Sequence, residues 1–399
     1  MKEITELNNL LSQYVDQGFF PGVQWQININ DNVYVGKYGL NNLDTKREVF
    51  DNSIYRIWSM TKPIVAISAL KLVEEKQINL DDPITEYLPE FNDLQVMVQE
   101  NGIVEDVEKI NIFPTIKDLF LHTAGFSYNF LADPVGKQYD QLRLFNSDTT
   151  TLKEEIKILA KAPLLFQPGK SWRYSVSMDV LARIIEIVRG DSLQNILQKE
   201  IFDPLDMNDT AFTVSLENQP KVMSSYEYDP IKNKLSELIS DPQKIGNYGY
   251  PLQTSSYARG GHGLFSTLND YAIFAKMLHS GKSDHGHQIL NADTLKLIST
   301  NFLEKKYLPI EIATIGIVKD KNYVNGLEAY GWGLGCRTLL DPSKQHDLGS
   351  VGEFGWGGAA STYFLVDNNK KLSATIMTQV LFGNPNLHRD FYKYIYTNF

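Results

Sequence analysis

Strand-like patterning sits at the two ends of this chain, and the long middle reads as helix and loop. Near the start, Val23, Trp25, Ile27 and Ile29 alternate with polar residues, Asn30-Asp31-Asn32 offers a turn, and Val33 to Tyr38 returns. Near the end, Thr362 to Val366 and Leu372 to Met377 flank the turn Asp367-Asn368-Asn369. Strand-like sequence returns only there. Helical spacing marks Ile4, Leu7, Leu10, Leu11, Tyr14 and Val15, then Met60 to Glu75, Ile116 to His122, Val180 to Val188 before Gly190, Tyr271 to Leu278 before Gly281, and Leu387 to Tyr396. Pro83, Pro89, Pro114, Pro163 and Pro168 punctuate the middle, and a small hairpin is expected around Asn101-Gly102. A chain whose strands lie at both ends must bring its termini together to make one sheet, with the helical middle as an insertion. At 399 residues it exceeds the ~250–300 that a single core usually reaches, so two domains are expected.

Charge narrows the partners. Lys and Arg number 38 against 48 Asp and Glu, a net charge of −10, which repels nucleic acid and anionic lipid. No apolar run approaches the ~18 residues of a membrane span, and no basic stretch followed by an apolar segment opens the chain. The chain therefore reads as cytoplasmic, or as periplasmic or secreted where a leader has been removed. Cys336 is the only cysteine, which excludes an intrachain disulfide and a multi-cysteine metal site and leaves it as a small buried hydrophobe.

Three common signatures are missing. There is no Gly-x-Ser-x-Gly elbow and no His-Glu-x-x-His. Gly169-Lys170-Ser171 would belong to a phosphate loop only with a glycine where Leu164 stands. What remains is Ser59-Met60-Thr61-Lys62. A serine at a helix start and a lysine three positions on share one face. A desolvated lysine can be neutral enough to help take the serine proton, and the helix N-terminus offers N–H groups where an oxyanion would form. Pro63 is tolerated in the first turn. By itself this spacing is common, and a helix cap beside a solvated lysine would produce it as well.

Context separates the two readings. Tyr55-Arg56-Ile57-Trp58-Ser59-Met60-Thr61-Lys62-Pro63 resembles the first active-site motif of the serine β-lactamase and penicillin-binding-protein superfamily. Leu121-His122-Thr123-Ala124-Gly125, Gln167 to Ser175, Ile201 to Met207 and Gly260 to Thr267 are similar to later blocks of the same superfamily, in the same order, over about Gly22 to Val380. Two features resemble its class C-like branch, and the family VIII carboxylesterases within it. Tyr174-Ser175-Val176 stands in place of Tyr-x-Asn, and Trp356-Gly357-Gly358 in place of Lys-Thr-Gly. A lysine there can hold the carboxylate of a β-lactam, whereas a tryptophan offers an apolar face and one donor.

The resemblance implies a β-lactamase-like α/β (α+β) fold. An antiparallel sheet domain of residues 1–62 and 258–399 is flanked by helices, residues 63–257 form a mainly helical domain, and Ser59 lies in the cleft between. It further implies acyl transfer with Ser59 as nucleophile, Lys62 and Tyr174 as proton-transfer groups with the formal base left open, and the Ser59 and Ala359 amides as oxyanion hole. Trp356, Gly357, Gly358, Tyr128 and Asp179 would line the substrate site, although Asp179 could equally cap the helix that follows it. His122 reads as a structural helix end and His262 as a product of close glycine packing. The expected activity is hydrolysis of small, short-chain carboxylic esters without metal or cofactor. A β-lactamase or D-alanyl-D-alanine carboxypeptidase acting on an amide is the alternative, and a non-catalytic binding or scaffold protein is the second. The oligomeric state is not legible.

Overall fold

A computed structural model describes residues 2–145, 150–229, 231–238, 258–310, 312, 327–381 and 383–399. The strands in chain order are β1 (Gly22–Ile29), β2 (Asn32–Asn42), β3 (Arg47–Glu48), β4 (Ile54–Arg56), β5 (Gln95–Met97), β6 (Val107–Lys109), β7 (Tyr226–Asp229) and β8 (Lys234–Glu237). They continue with β9 (Phe265–Thr267), β10 (Tyr330–Trp332), β11 (Arg337–Leu339), β12 (Phe354–Gly357), β13 (Tyr363–Asp367), β14 (Leu372–Met377) and β15 (Val380–Leu381). Among the described residues, eight strands form one antiparallel sheet in the order β10-β11-β12-β13-β14-β1-β2-β3. The termini meet at its centre, where β1 pairs with β14 through Trp25↔Ile376 and Ile27↔Ala374. This is the sheet the two end patterns require.

Both faces of that sheet are covered, which explains why its central strands β13, β14 and β1 are buried almost throughout, polar residues included. Alternation sorts the side chains between two cores. Leu365, Ala374 and Ile376 join Leu7, Leu11, Phe391 and Ile395 of the terminal helices Lys2–Asp16 and Asn386–Asn398. Phe364 and Val366 point the other way, where Phe364 meets the ring of Tyr271 edge-on at 5.2 Å, on helix Leu268–Met277. Buried Cys336 belongs to the second core.

Helix Thr61–Glu74 runs into the same core, buried nearly all round, as its run of Ile64, Val65, Ala66, Ile67, Ala69, Leu70 and Leu72 demands. Helix Ser177–Arg189 packs against it through Val180, Leu181, Ile184 and Ile185, and ends on Gly190 in the left-handed conformation. The hairpin around Asn101-Gly102 is present as β5 and β6.

The sequence expectation of strands only at the ends is corrected here. Strands β7 to β12 all precede Thr362, and β7 pairs with β15 in parallel, through Tyr226↔Val380. All six have only three or four residues, too few to show alternation, and β10 and β12 carry glycine inside. The expected boundary at Tyr257 lies outside the described residues.

Candidate active site

Ser59 is set by a strand pair and a strained turn. β4 pairs with β9 through Tyr55↔Ser266, and the Ile57 amide extends the ladder to the Leu264 carbonyl at 3.1 Å. The chain then reverses at Trp58, whose φ of +47° is a rare left-handed conformation for a bulky residue and stores strain directly before Ser59. Ser59 lies in the single 3-10 turn Trp58–Met60, one turn ahead of the α-helix rather than on it, and is partly exposed. The Trp58 ring stacks on His262 at 5.9 Å, and the Tyr271 hydroxyl donates to the Met60 carbonyl at 2.9 Å.

Lys62, in the first helical turn, is only 1% exposed. Its Nζ donates to Ser59 Oγ at 3.0 Å and to the Gly261 carbonyl at 2.6 Å. Burial brings its pKa down to about 7, while the nearby Asp179 carboxylate pulls the other way. A free amine and a serine hydroxyl therefore meet near neutral pH.

Tyr174 reaches the same point from a different segment. Residues 169–176 are tied to 122–127 by Gly169 N to Thr123 O (2.9 Å), Arg173 N to His122 O (3.0 Å) and Val176 N to Ser127 O (3.1 Å). The Tyr174 ring lies 4.7 Å from Lys62 Nζ, and its hydroxyl accepts from Trp356 Nε1 at 3.0 Å. Burial pushes the phenol well above its usual pKa, with hydrogen bonds to Ser59 and Trp356 offsetting part of that. His122 ends helix Ile116–Leu121 with φ +58°, beside the Tyr174 ring at 4.9 Å, and its Nδ1 meets Ser175 Oγ at 3.2 Å. Burial holds the imidazole well below its usual pKa, so it is neutral and serves as packing.

Trp356 lies on β12, and beyond it the chain turns back at 358–361 through Ser361 N to Gly358 O at 3.0 Å. That turn is pressed onto the turn of Ser59. A Cβ on Gly358 would lie 2.4 Å from the Ile57 carbonyl, and Thr362 Oγ1 donates to the same oxygen at 3.4 Å. Only glycine admits this approach, and the partly exposed Ala359 follows it in the turn.

Asp179 is wholly buried and does not cap its helix. Its Oδ1 accepts from the Gly261 amide at 3.0 Å, and burial raises its pKa against the pull of Lys62 and Arg259. Gly261 thus links Lys62 to Asp179 through its two backbone groups. A Cβ there would fall 2.4 Å from the Tyr128 hydroxyl and 2.5 Å from Asp179 Oδ2, so any side chain at this position must displace those two groups. Tyr128 lies over Lys62 at 5.1 Å and stacks on Phe130 at the surface.

The structure brings together Ser59, Lys62, Tyr174, Trp356, Asp179 and Tyr128. Sequence reasoning quoted Gly261 within a block but assigned it no part, and it missed Trp332. The latter packs edge-on against Trp356 at 4.7 Å and donates to the Phe120 carbonyl at 3.0 Å. A lone tryptophan among Gly331, Gly333 and Gly335 carries no signal of its own. Among the described residues, no group of three or more His, Cys, Asp or Glu could hold a metal ion, and no helix is long and apolar enough to cross a membrane.

Comparison with known proteins gives the family and the fold. Esterase EstB of Burkholderia gladioli is 27% identical over 364 residues, covering 88% of this chain and 83% of its own. Lovastatin esterase of Penicillium rubens is 32% identical over 242 residues, 59% of this chain and 56% of that one. The solved structure of EstCE1, described as a hydrolase with promiscuous acyltransferase activity, superposes with a TM-score of 0.80 over 99% of both chains at 20% identity, a likeness of fold. The Beta-lactamase family profile matches residues 7–398. With the sheet, the Ser59 turn and nearly the whole length accounted for, the chain belongs to the Beta-lactamase family.

Proposed function

We propose that this protein is a serine hydrolase of small carboxylic esters, working through an acyl-enzyme on Ser59. The observation that carries this reading is the 3.0 Å contact between Ser59 Oγ and a fully buried Lys62 whose amine can be free near neutral pH. Ser59 Oγ attacks the ester carbonyl and its proton passes to Lys62 Nζ. The Ser59 and Ala359 amides receive the oxyanion, a kind of donor worth ~100- to 1,000-fold in turnover. Tyr174 gives its hydroxyl proton to the departing alkoxide and recovers one from Lys62. Water then attacks the acyl-enzyme, with the protons moving in reverse, and releases the acid. Of the two candidate bases, Lys62 fits the first step, because Tyr174 stays a phenol through the neutral range.

Trp356, Gly357, Gly358 and Tyr128 form the substrate wall in this reading, and Asp179 acts on Lys62 from behind. The sheet part, 1–62 and 258–399, and the helical part, 63–257, face each other across Ser59. The preference for esters over β-lactams rests on Trp356. Its one N–H is engaged by Tyr174, which leaves it no donor for a substrate carboxylate. The names of EstB and lovastatin esterase support the same substrate class. Turnover of p-nitrophenyl butyrate against nitrocefin tests it. Ester cleavage with weak or no nitrocefin cleavage is expected, and efficient nitrocefin cleavage without ester turnover reverses the assignment.

A further inference from the structure

Behind the Gly261 clamp lies a buried ion pair. Arg259 Nε meets Glu155 Oε2 at 2.9 Å, with the two side chains 0% and 1% exposed. Arg259 Nη2 also donates to the Thr150 carbonyl at 2.6 Å, and Nη1 to the Ala258 carbonyl at 3.3 Å. Glu155 rides on helix Leu152–Leu159, whose start is fixed by the reciprocal Thr151–Glu154 cap. Stability alone does not explain such a pair, since apolar residues of similar size often serve a core equally well. Its location does suggest a purpose. Arg259 adjoins Gly260-Gly261, and Gly260 lies so close to helix Ser177–Arg189 that a Cβ would come within 2.1 Å of the Met178 carbonyl. The charges run inward in alternation: Glu155, Arg259, Asp179, Lys62. Arg259 draws down the pKa of both carboxyl groups, against burial that pushes Asp179 up and Glu155 up to about 7.

We propose that Glu155 and Arg259 are positioning residues of the Ser59 site. Their ion pair fixes the 258–261 backbone, and with it the Gly261 carbonyl that Lys62 donates to and the Gly261 amide that holds Asp179. Neither residue touches the reacting atoms. The proposal rests on the reading of Ser59 as nucleophile and Lys62 as its base.

The groups facing Lys62 give the sign of the effect. They are Ser59 in its own turn, His122 and Tyr128 from 122–128, Tyr174 and Asp179 around the start of helix Ser177–Arg189, and the Gly261 carbonyl and His262 from the Arg259 segment. Among those that favour the ammonium, the Gly261 carbonyl and the Asp179 carboxylate are the two held by the 258–261 backbone. Arg259→Lys keeps the charge but loses the planar fork that reaches Glu155 and Thr150 together. With the backbone loosened, both partners drift from Lys62, which then gives up its proton at lower pH.

The test is the rate at which a fluorophosphonate probe labels Ser59, followed across the neutral pH range, with thermal unfolding recorded beside it. For Arg259→Lys we expect a plateau rate lower by about tenfold or more and an acid limb moved down by about half a pH unit or more. Glu155→Leu should behave alike, and Glu155→Gln, which can still accept from Arg259, should recover most of the plateau. If Glu155→Leu does not fold, Arg259→Lys and Glu155→Gln decide between them. A folded Arg259→Lys protein whose profile superimposes on the native one overturns the proposal and leaves the esterase reading intact. A native protein that takes no label at Ser59 removes the esterase reading, and this proposal with it.

Discussion

Trp356 Nε1 donates a hydrogen bond to the Tyr174 hydroxyl across 3.0 Å, joining the third motif of the chain to the second. The bond orients the phenol toward Ser59 and occupies the only donor the indole has. It therefore does in this site something a lysine at 356 could not do without facing the ammonium of Lys62.

Trp356→Phe isolates that bond, because the ring wall stays while the N–H goes. A hydrogen bond of this kind is worth about 0.5–1.5 kcal/mol, so kcat on a p-nitrophenyl ester should fall roughly tenfold at most, with KM little changed. Trp356→Leu should raise KM as well, since the wall itself is lost. Steady-state kinetics separate the two, and an unchanged kcat in the phenylalanine variant would show that the bond has no part in catalysis.

The pH dependence follows from Lys62. The amine must be free to accept the Ser59 proton, and its pKa is brought down to about 7, so kcat/KM should rise with pH through a midpoint near that value. Tyr174 is raised, not lowered, so no alkaline limb from its ionisation is expected within the range where the fold persists. A flat profile through neutrality would contradict Lys62 as the base.

Much of this site was legible because its chemistry is local or motif-bound. Ser59 and Lys62 are three residues apart, and Trp25 to Ile29 alternate over enough residues to declare a strand. What stayed hidden depends on long-range contact. Strands β9 to β12 are set by pairing with neighbours and not by their own pattern, and Phe265–Thr267 is a strand because Ile54–Arg56 lies beside it. Gly261, Arg259 and Glu155 gain meaning only when helix Leu152–Leu159 and the segment 258–264 come together, and no spacing in the chain announces that. The helix starts at Thr61, one residue after the expected Met60, and what the sequence did not announce is the tight 3-10 turn that holds Ser59, which starts at the left-handed Trp58.

Two neighbouring glycines should respond differently to alanine. At Gly261 the new methyl meets side-chain ends, Tyr128 Oη and Asp179 Oδ2, which can shift and let the protein fold. The shift displaces the groups around Lys62, and misplacement of about 1 Å can cost ~100-fold in rate. At Gly260 the methyl meets the Met178 carbonyl at 2.1 Å, and backbone cannot yield so cheaply. Gly261→Ala should therefore keep a near-native melting temperature with poor turnover, whereas Gly260→Ala should lose stability. Equal losses of stability in both would refute the distinction.

Lys62 and Tyr174 should act as one unit, and their variants can show it. Lys62→Ala and Tyr174→Phe each remove a proton carrier while deleting little apolar surface, so each should abolish most turnover in a folded protein. Groups that work together are not additive, so the double variant should be hardly worse than either single one. Lys62→Arg discriminates most sharply. A guanidinium keeps the charge that faces Asp179 and can still donate to Gly261, but it does not lose a proton in a protein. Because the position is 1% exposed, the larger head also has little room. Turnover should fall almost as far as in Lys62→Ala, measured on the same ester and normalised to folded protein. An arginine variant with near-native turnover would mean that position 62 supplies only charge, and the transfer of the Ser59 proton would have to be assigned elsewhere.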